Sequence, residues 1–110
     1  MKIAVTYNNG KITDRFGKAK AFKYYEAENG TVTEGTVQDL HTDDHDEKAA
    51  ILREAGVDTL ICGHICLDCQ EAVGKAGIRI AGCVSGDADA AAEAFAAGTL
   101  AYETDPQILK

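Results

Sequence analysis

The sequence predicts a single α/β domain on a mixed five-stranded sheet, with elements in the order β-β-β-α-β-α-β-α. Three observations carry that expectation. The hydrophobic period is two in the first third of the chain and 3.6 thereafter. Short apolar runs at residues 57–62 and 78–81 alternate with helical segments. A length of 110 residues suits one core.

The first strand spans about residues 2–8, where Ile3, Val5 and Tyr7 alternate before the turn-forming Asn9-Gly10. Residues 13–19 hold turn formers and one aromatic, Phe16, without a period, and read as an ordered loop. A hairpin follows: residues 21–28 carry Phe22, Tyr24 and Tyr25, Asn29-Gly30 turns the chain, and residues 31–38 return with β-branched side chains. Asp44, with Glu47 three residues on, has capping-box spacing and starts a helix over 45–55 that Gly56 stops. Residues 57–62 form a buried parallel strand, a second helical pattern ends at Gly77, and residues 78–81 repeat the strand. Asp87 caps a third helix, with Ala88, Ala91, Ala92 and Phe95 on one face and Gly98 as its stop. An antiparallel meander followed by strand–helix–strand units gives a mixed sheet, because parallel neighbours need helical crossovers.

Composition narrows the partners. The chain is 45% apolar and 26% charged, and it has no apolar run near the ~18 residues that would cross a bilayer, so no membrane partner is expected. Eleven Lys and Arg against eighteen Asp and Glu leave a net charge of −7, which repels a phosphate backbone and argues against nucleic acid. Met1-Lys2-Ile3-Ala4-Val5 lacks a signal-peptide core, so a cytoplasmic location is expected. Four cysteines are too few for a disulfide scaffold, and a reducing compartment leaves them as core, metal or redox residues.

The sharpest motif is Cys62-Gly63-His64-Ile65-Cys66-Leu67-Asp68-Cys69, with Cys83 beyond the next strand. Cys62 should end one strand, Cys66 and Cys69 should open the following helix, and Cys83 should lie past the end of the neighbouring strand. All four then meet at the carboxyl edge of the sheet, where helix N-termini offer N–H donors and positive potential. Thiolates gathered there would bind soft metal ions or a cluster, with zinc as the alternative. A burial reading stands beside this one, since Cys66, Cys69, Val73 and Ala76 also form an i, i+3, i+7, i+10 stripe. The C-x-x-C of Cys66 and Cys69 also permits thiol–disulfide chemistry, although the only proline, Pro106, lies near the chain end and supplies no cis-proline opposite the dithiol. His64, inside this turn, reads as a ligand or a donor to a cluster sulfide, or as an exposed loop histidine. The acids among His41, Asp43, Asp44, His45, Asp46 and Glu47 are what a helix start selects, and a role for His41 or His45 stays open.

With these residues in view, the chain over about residues 1–103 resembles the dinitrogenase iron-molybdenum cofactor biosynthesis family, the NifX-like and NafY-core domains also found at the C-terminus of NifB; 104–110 remains as a tail. The likeness rests on the opening Met1-Lys2-Ile3-Ala4-Val5, on Asp14-Arg15-Phe16-Gly17-Lys18-Ala19 before an aromatic strand, and on Val57-Asp58-Thr59-Leu60-Ile61-Cys62-Gly63 with Ala76-Gly77-Ile78 downstream. It implies a ribonuclease H-like three-layer α/β/α fold. It also implies a non-catalytic protein that binds, carries or stores an iron–sulfur or iron–molybdenum type cluster, with a cluster donor or acceptor protein as partner. Arg15, Phe16, Gly17, Gly63 and His64 then mark the cofactor site, and Cys62, Cys66, Cys69 and Cys83 are the candidate sulfur ligands. Arg15 stands where the family usually has histidine, which replaces a ligand by an anion-binding cation. A nuclease role is dismissed: the first strand offers Thr6, Tyr7 and Asn8 but no carboxylate to hold magnesium.

Overall fold

A computed structural model describes residues 1–33 and 35–103, so the tail at 104–110 lies outside the described residues. In chain order the elements are β1 (Lys2–Asn8), β2 (Lys11–Ile12), β3 (Ala21–Glu28), β4 (Thr31–Val32), β5 (Thr36–Asp39), α1 (His45–Glu54), β6 (Thr59–Ile61), α2 (Leu67–Lys75), β7 (Arg79–Ala81) and α3 (Ala88–Ala97). β1 is central. It pairs antiparallel with β3 and parallel with β6, while β5 extends the sheet antiparallel beyond β3 and β7 extends it parallel beyond β6. Those are the five expected strands. The short β2 and β4, paired with β1 and β3, bring the mixed sheet to seven.

The third expected strand is broken into β4 and β5, and the register gives the reason. Val32 faces Ala27 and Thr36 faces Tyr24, so four steps on one side meet three on the other, the signature of a bulge. Gly35 falls in that interruption, packed against the Lys23 side chain and the Tyr24 carbonyl.

Side-chain alternation along β1 and β6 sorts the core into two. Ile3, Val5, Ile61 and Ala81 face α3 through Ala88, Ala91 and Ala92. Ala4, Leu60 and Cys62 face the opposite way, with Phe22, onto Ala49 and Leu52 of α1 and Cys69 and Val73 of α2. The sheet is therefore covered by helices on both sides. Asp44 accepts the Asp46 and Glu47 amides, Asp87 accepts that of Ala90, and α3 ends at Gly98 with φ +77°, a left-handed conformation that favours glycine. No helix among the described residues is long and apolar enough to cross a membrane.

Candidate functional site

The aperiodic loop at 13–19 is anchored by its one aromatic side chain. Phe16 is fully buried, with its ring centroid 6.1 Å from that of Phe22, and it begins a single 3-10 turn, Phe16–Lys18. The loop then pairs through its main chain with the turn after β6. The Phe16 amide donates to the His64 carbonyl at 2.9 Å and the His64 amide donates to the Asp14 carbonyl at 2.7 Å, making Arg15 and His64 a parallel bridge. Gly63 makes this approach feasible: a Cβ there would overlap the Asp14 carbonyl. On its other side the same turn accepts the Cys83 amide at the Gly63 carbonyl, 3.0 Å.

Two clefts flank the bridge. One, of about 570 Å³, is lined by Arg15, Gly17, Lys18, His64, Ile65 and Cys66. The other, of about 430 Å³, is lined by Asp14, Arg15, His64, Cys83, Val84 and Ser85. Arg15, Lys18, His64, Cys66 and Cys83 are all exposed, so the carboxyl edge of the sheet presents two cations, an imidazole and two thiols to solvent.

The four cysteines do not form one ligand set. Cys66 is the N-cap of α2: its sulfur accepts the Cys69 amide at 3.3 Å, and its thiol donates to the Cys69 sulfur at 2.8 Å. Cys69, in the first turn, is buried at 4% exposure, and burial, followed by the hydrogen bond with Cys66, pushes its thiol up to about 12. Cys62 has no exposed surface and lies in the core beneath α2, where desolvation likewise holds its thiol at about 12. Cys83 is exposed, with φ +59°. Among the described residues no three of His, Cys, Asp and Glu are grouped to hold a metal ion. The expectation of four sulfurs gathered at the rim is thus corrected: Cys66 and Cys69 pair, Cys83 opens on the second cleft, and Cys62 follows strand alternation inward behind Leu60. The stripe reading is half right, since Cys69 and Val73 are buried while Cys66 is exposed.

The acidic segment before α1 is committed to structure. Asp44 caps the helix, Asp43 pairs with Lys20 at 3.0 Å, and His45 Nε2 stands 3.6 Å from Asp46. His41 is exposed and lines neither cleft.

Sequence reasoning missed Lys48. It has no exposed surface, its Nζ donates to the Gly17 carbonyl at 3.0 Å and to the Phe16 carbonyl at 3.4 Å, and it lies 5.8 Å from the Phe16 ring centroid. Desolvation holds its pKa below the ordinary lysine value. The available signal was spacing: Lys48 and Leu52, four apart, share the buried face of α1.

Solved structures repeat this fold. The crystal structure of PH0822 superposes with a TM-score of 0.86 at 19% identity, over 97% of this chain and 98% of that one. The apo form of the orange protein from Desulfovibrio gigas gives 0.78 at 23% identity, over 96% and 94%. A Methanocaldococcus jannaschii protein provisionally assigned as a dinitrogenase gives 0.76 at 25% identity, over 96% and 97%. A search of curated proteins finds no sequence match. The family model described as dinitrogenase iron-molybdenum cofactor covers the Phe-Gly loop, the cysteine turn and the strands beneath them in one match over residues 1–98, and the chain belongs to that family.

Proposed function

We propose that this chain binds and carries an anionic metal cluster, of iron–sulfur or molybdenum–iron type, at the rim where the 13–19 loop meets the turn after β6, and turns over no substrate. The observation that carries this reading is a cleft of about 570 Å³ in which Arg15 and Lys18 stand beside an exposed thiol, Cys66, and an imidazole, His64. In a chain of net charge −7, two cations at one opening are a local reversal of sign, suited to an anionic guest. Cys66 supplies a sulfur ligand, His64 a ligand or a hydrogen-bond donor, and Gly17 leaves room for a bulky inorganic body to approach the main chain. Cys83, across the Arg15–His64 bridge, supplies a second thiolate to a guest that spans both clefts. Cys62 stays in the core and Cys69 behind Cys66. Family membership supports the reading, as does the orange protein's having an apo form; a cluster donor or acceptor protein follows as the partner class.

The test is anaerobic reconstitution with iron and sulfide, then desalting. Retained iron and sulfide with broad visible absorption is the expected result, falling sharply in Cys66→Ser and Arg15→Gln. Retention unchanged in both variants would overturn the reading. Colourless protein with stoichiometric zinc, unfolded by a chelator, would replace it with a structural zinc site.

A further inference from the structure

The same turn carries a second chemistry. We propose that Cys66 and Cys69 form a thiol–disulfide exchange site, in which exposed Cys66 attacks small disulfides to form a mixed disulfide and Cys69 closes the internal bond. The geometry points there independently of any cargo. The two sulfurs are already 2.8 Å apart, so bond formation asks for a movement of less than about 1 Å from the contact to the ~2.05 Å disulfide length. Their access differs as the roles require. Cys66 is exposed, whereas Cys69 is 4% exposed. The Cys69 amide, donating to the Cys66 sulfur at the start of α2, faces the charge that this sulfur bears during attack.

The step balances with a low-molecular-weight disulfide as oxidant. The Cys66 thiolate forms a bond to one sulfur of RSSR, the RS–SR bond breaks, and the first RS⁻ takes up the proton that Cys66 released. The Cys69 sulfur then bonds to Cys66, the mixed disulfide breaks, and the second RS⁻ leaves with the Cys69 proton. Two protein thiols are oxidised and one disulfide is reduced to two thiols. A small dithiol runs the sequence backwards. Closure also takes the Cys66 sulfur out of ligand chemistry, so oxidised protein would release cargo held there; that consequence alone rests on the cluster reading.

Incubation of the metal-free full-length chain with oxidised glutathione, followed by thiol counting and fragment mass spectrometry, tests the proposal. The parent should lose two thiols, show a Cys66–Cys69 link with no retained glutathione, and recover both thiols with a small dithiol. Cys69→Ser should trap glutathione on Cys66, with about tenfold more adduct than the parent. Cys66→Ser should carry none on Cys69, and it should fold because serine is itself a favoured N-cap. The proposal fails if the parent keeps all its thiols, holds a stable adduct on Cys66 without closing, or joins Cys66 to Cys83. Because the readout counts thiols without any cargo, it can fail while cluster binding succeeds, and the reverse.

Discussion

The fully buried ammonium of Lys48 donates to the Gly17 carbonyl at 3.0 Å, tying α1 to a loop that lies 31 residues earlier in the chain. The tie joins the start of one helix to the wall of the cleft, and adds a charged contact to the buried Phe16 ring and the main-chain bonds that hold the loop.

Lys48→Met keeps the apolar stem and removes the donor. It should destabilise the protein by about 1–3 kcal/mol at pH 7, because the Phe16 and Gly17 carbonyls lose a charged partner. Burial holds the folded-state pKa of Lys48 below 10.5, so the unfolded chain binds this proton more tightly. Stability contributed at this site therefore rises as pH climbs through the folded value toward 10.5, and the parent's advantage over Lys48→Met should widen over that range. Denaturant titrations at several pH values measure it; a gap independent of pH would contradict the assignment.

Cys62 predicts the opposite slope. Its thiol moves from 9.0 to about 12 on folding, so the folded state keeps a proton that the unfolded state gives up first. The resulting stability is complete below pH 9 and is lost as pH rises toward 12. Cys62→Ala should cost about 1 kcal/mol at neutral pH for the lost sulfur contacts, and this cost should shrink in alkali. Chemical denaturation of both proteins at pH 7 and pH 10 decides it.

Two glycines separate close approach from mere presence. Gly63→Ala drives a methyl group into the Asp14 carbonyl and should cost about 1–3 kcal/mol while displacing the 13–19 loop. Gly74, inside α2 with open space beyond its own helix where a side chain would start, should instead gain about 0.5–1 kcal/mol on conversion to alanine. Thermal melts of the two variants should move in opposite directions.

Arg15 is exposed, and the main-chain bonds that dock its loop on His64 come from Asp14 and Phe16, whatever the side chain at position 15. Arg15→Gln should leave the melting temperature within experimental scatter yet lower cluster retention, with the parent's retention falling further as salt is raised. Iron content at two ionic strengths reads this directly. Equal retention by parent and variant at low salt would remove Arg15 from the site.

Local signals made most of the fold legible. Asp44 and Asp87 announced their helices because a cap acts on amides two or three residues away, and Gly98 marked a stop because few other residues accept its backbone angles. The docked 13–19 loop was not legible, since Phe16, Lys48 and His64 meet only through tertiary contacts. The bulge that splits β4 from β5 depends on pairing with β3, and β2, two residues long, has no period to detect. At the site, the spacing of Cys66 and Cys69 correctly put them at a helix start, while the fate of Cys62 depended on which face of β6 it shares with Leu60.

Main-chain bonds from Asp14 and Phe16, not side chains, fasten the 13–19 loop to His64. The exposed side chains of Arg15 and His64 can consequently be exchanged at little expense to the sheet and helices packed behind them. On the reading proposed above, chemical taste and mechanical integrity are uncoupled at positions 15 and 64, and a change of guest would require new side chains there but no new architecture.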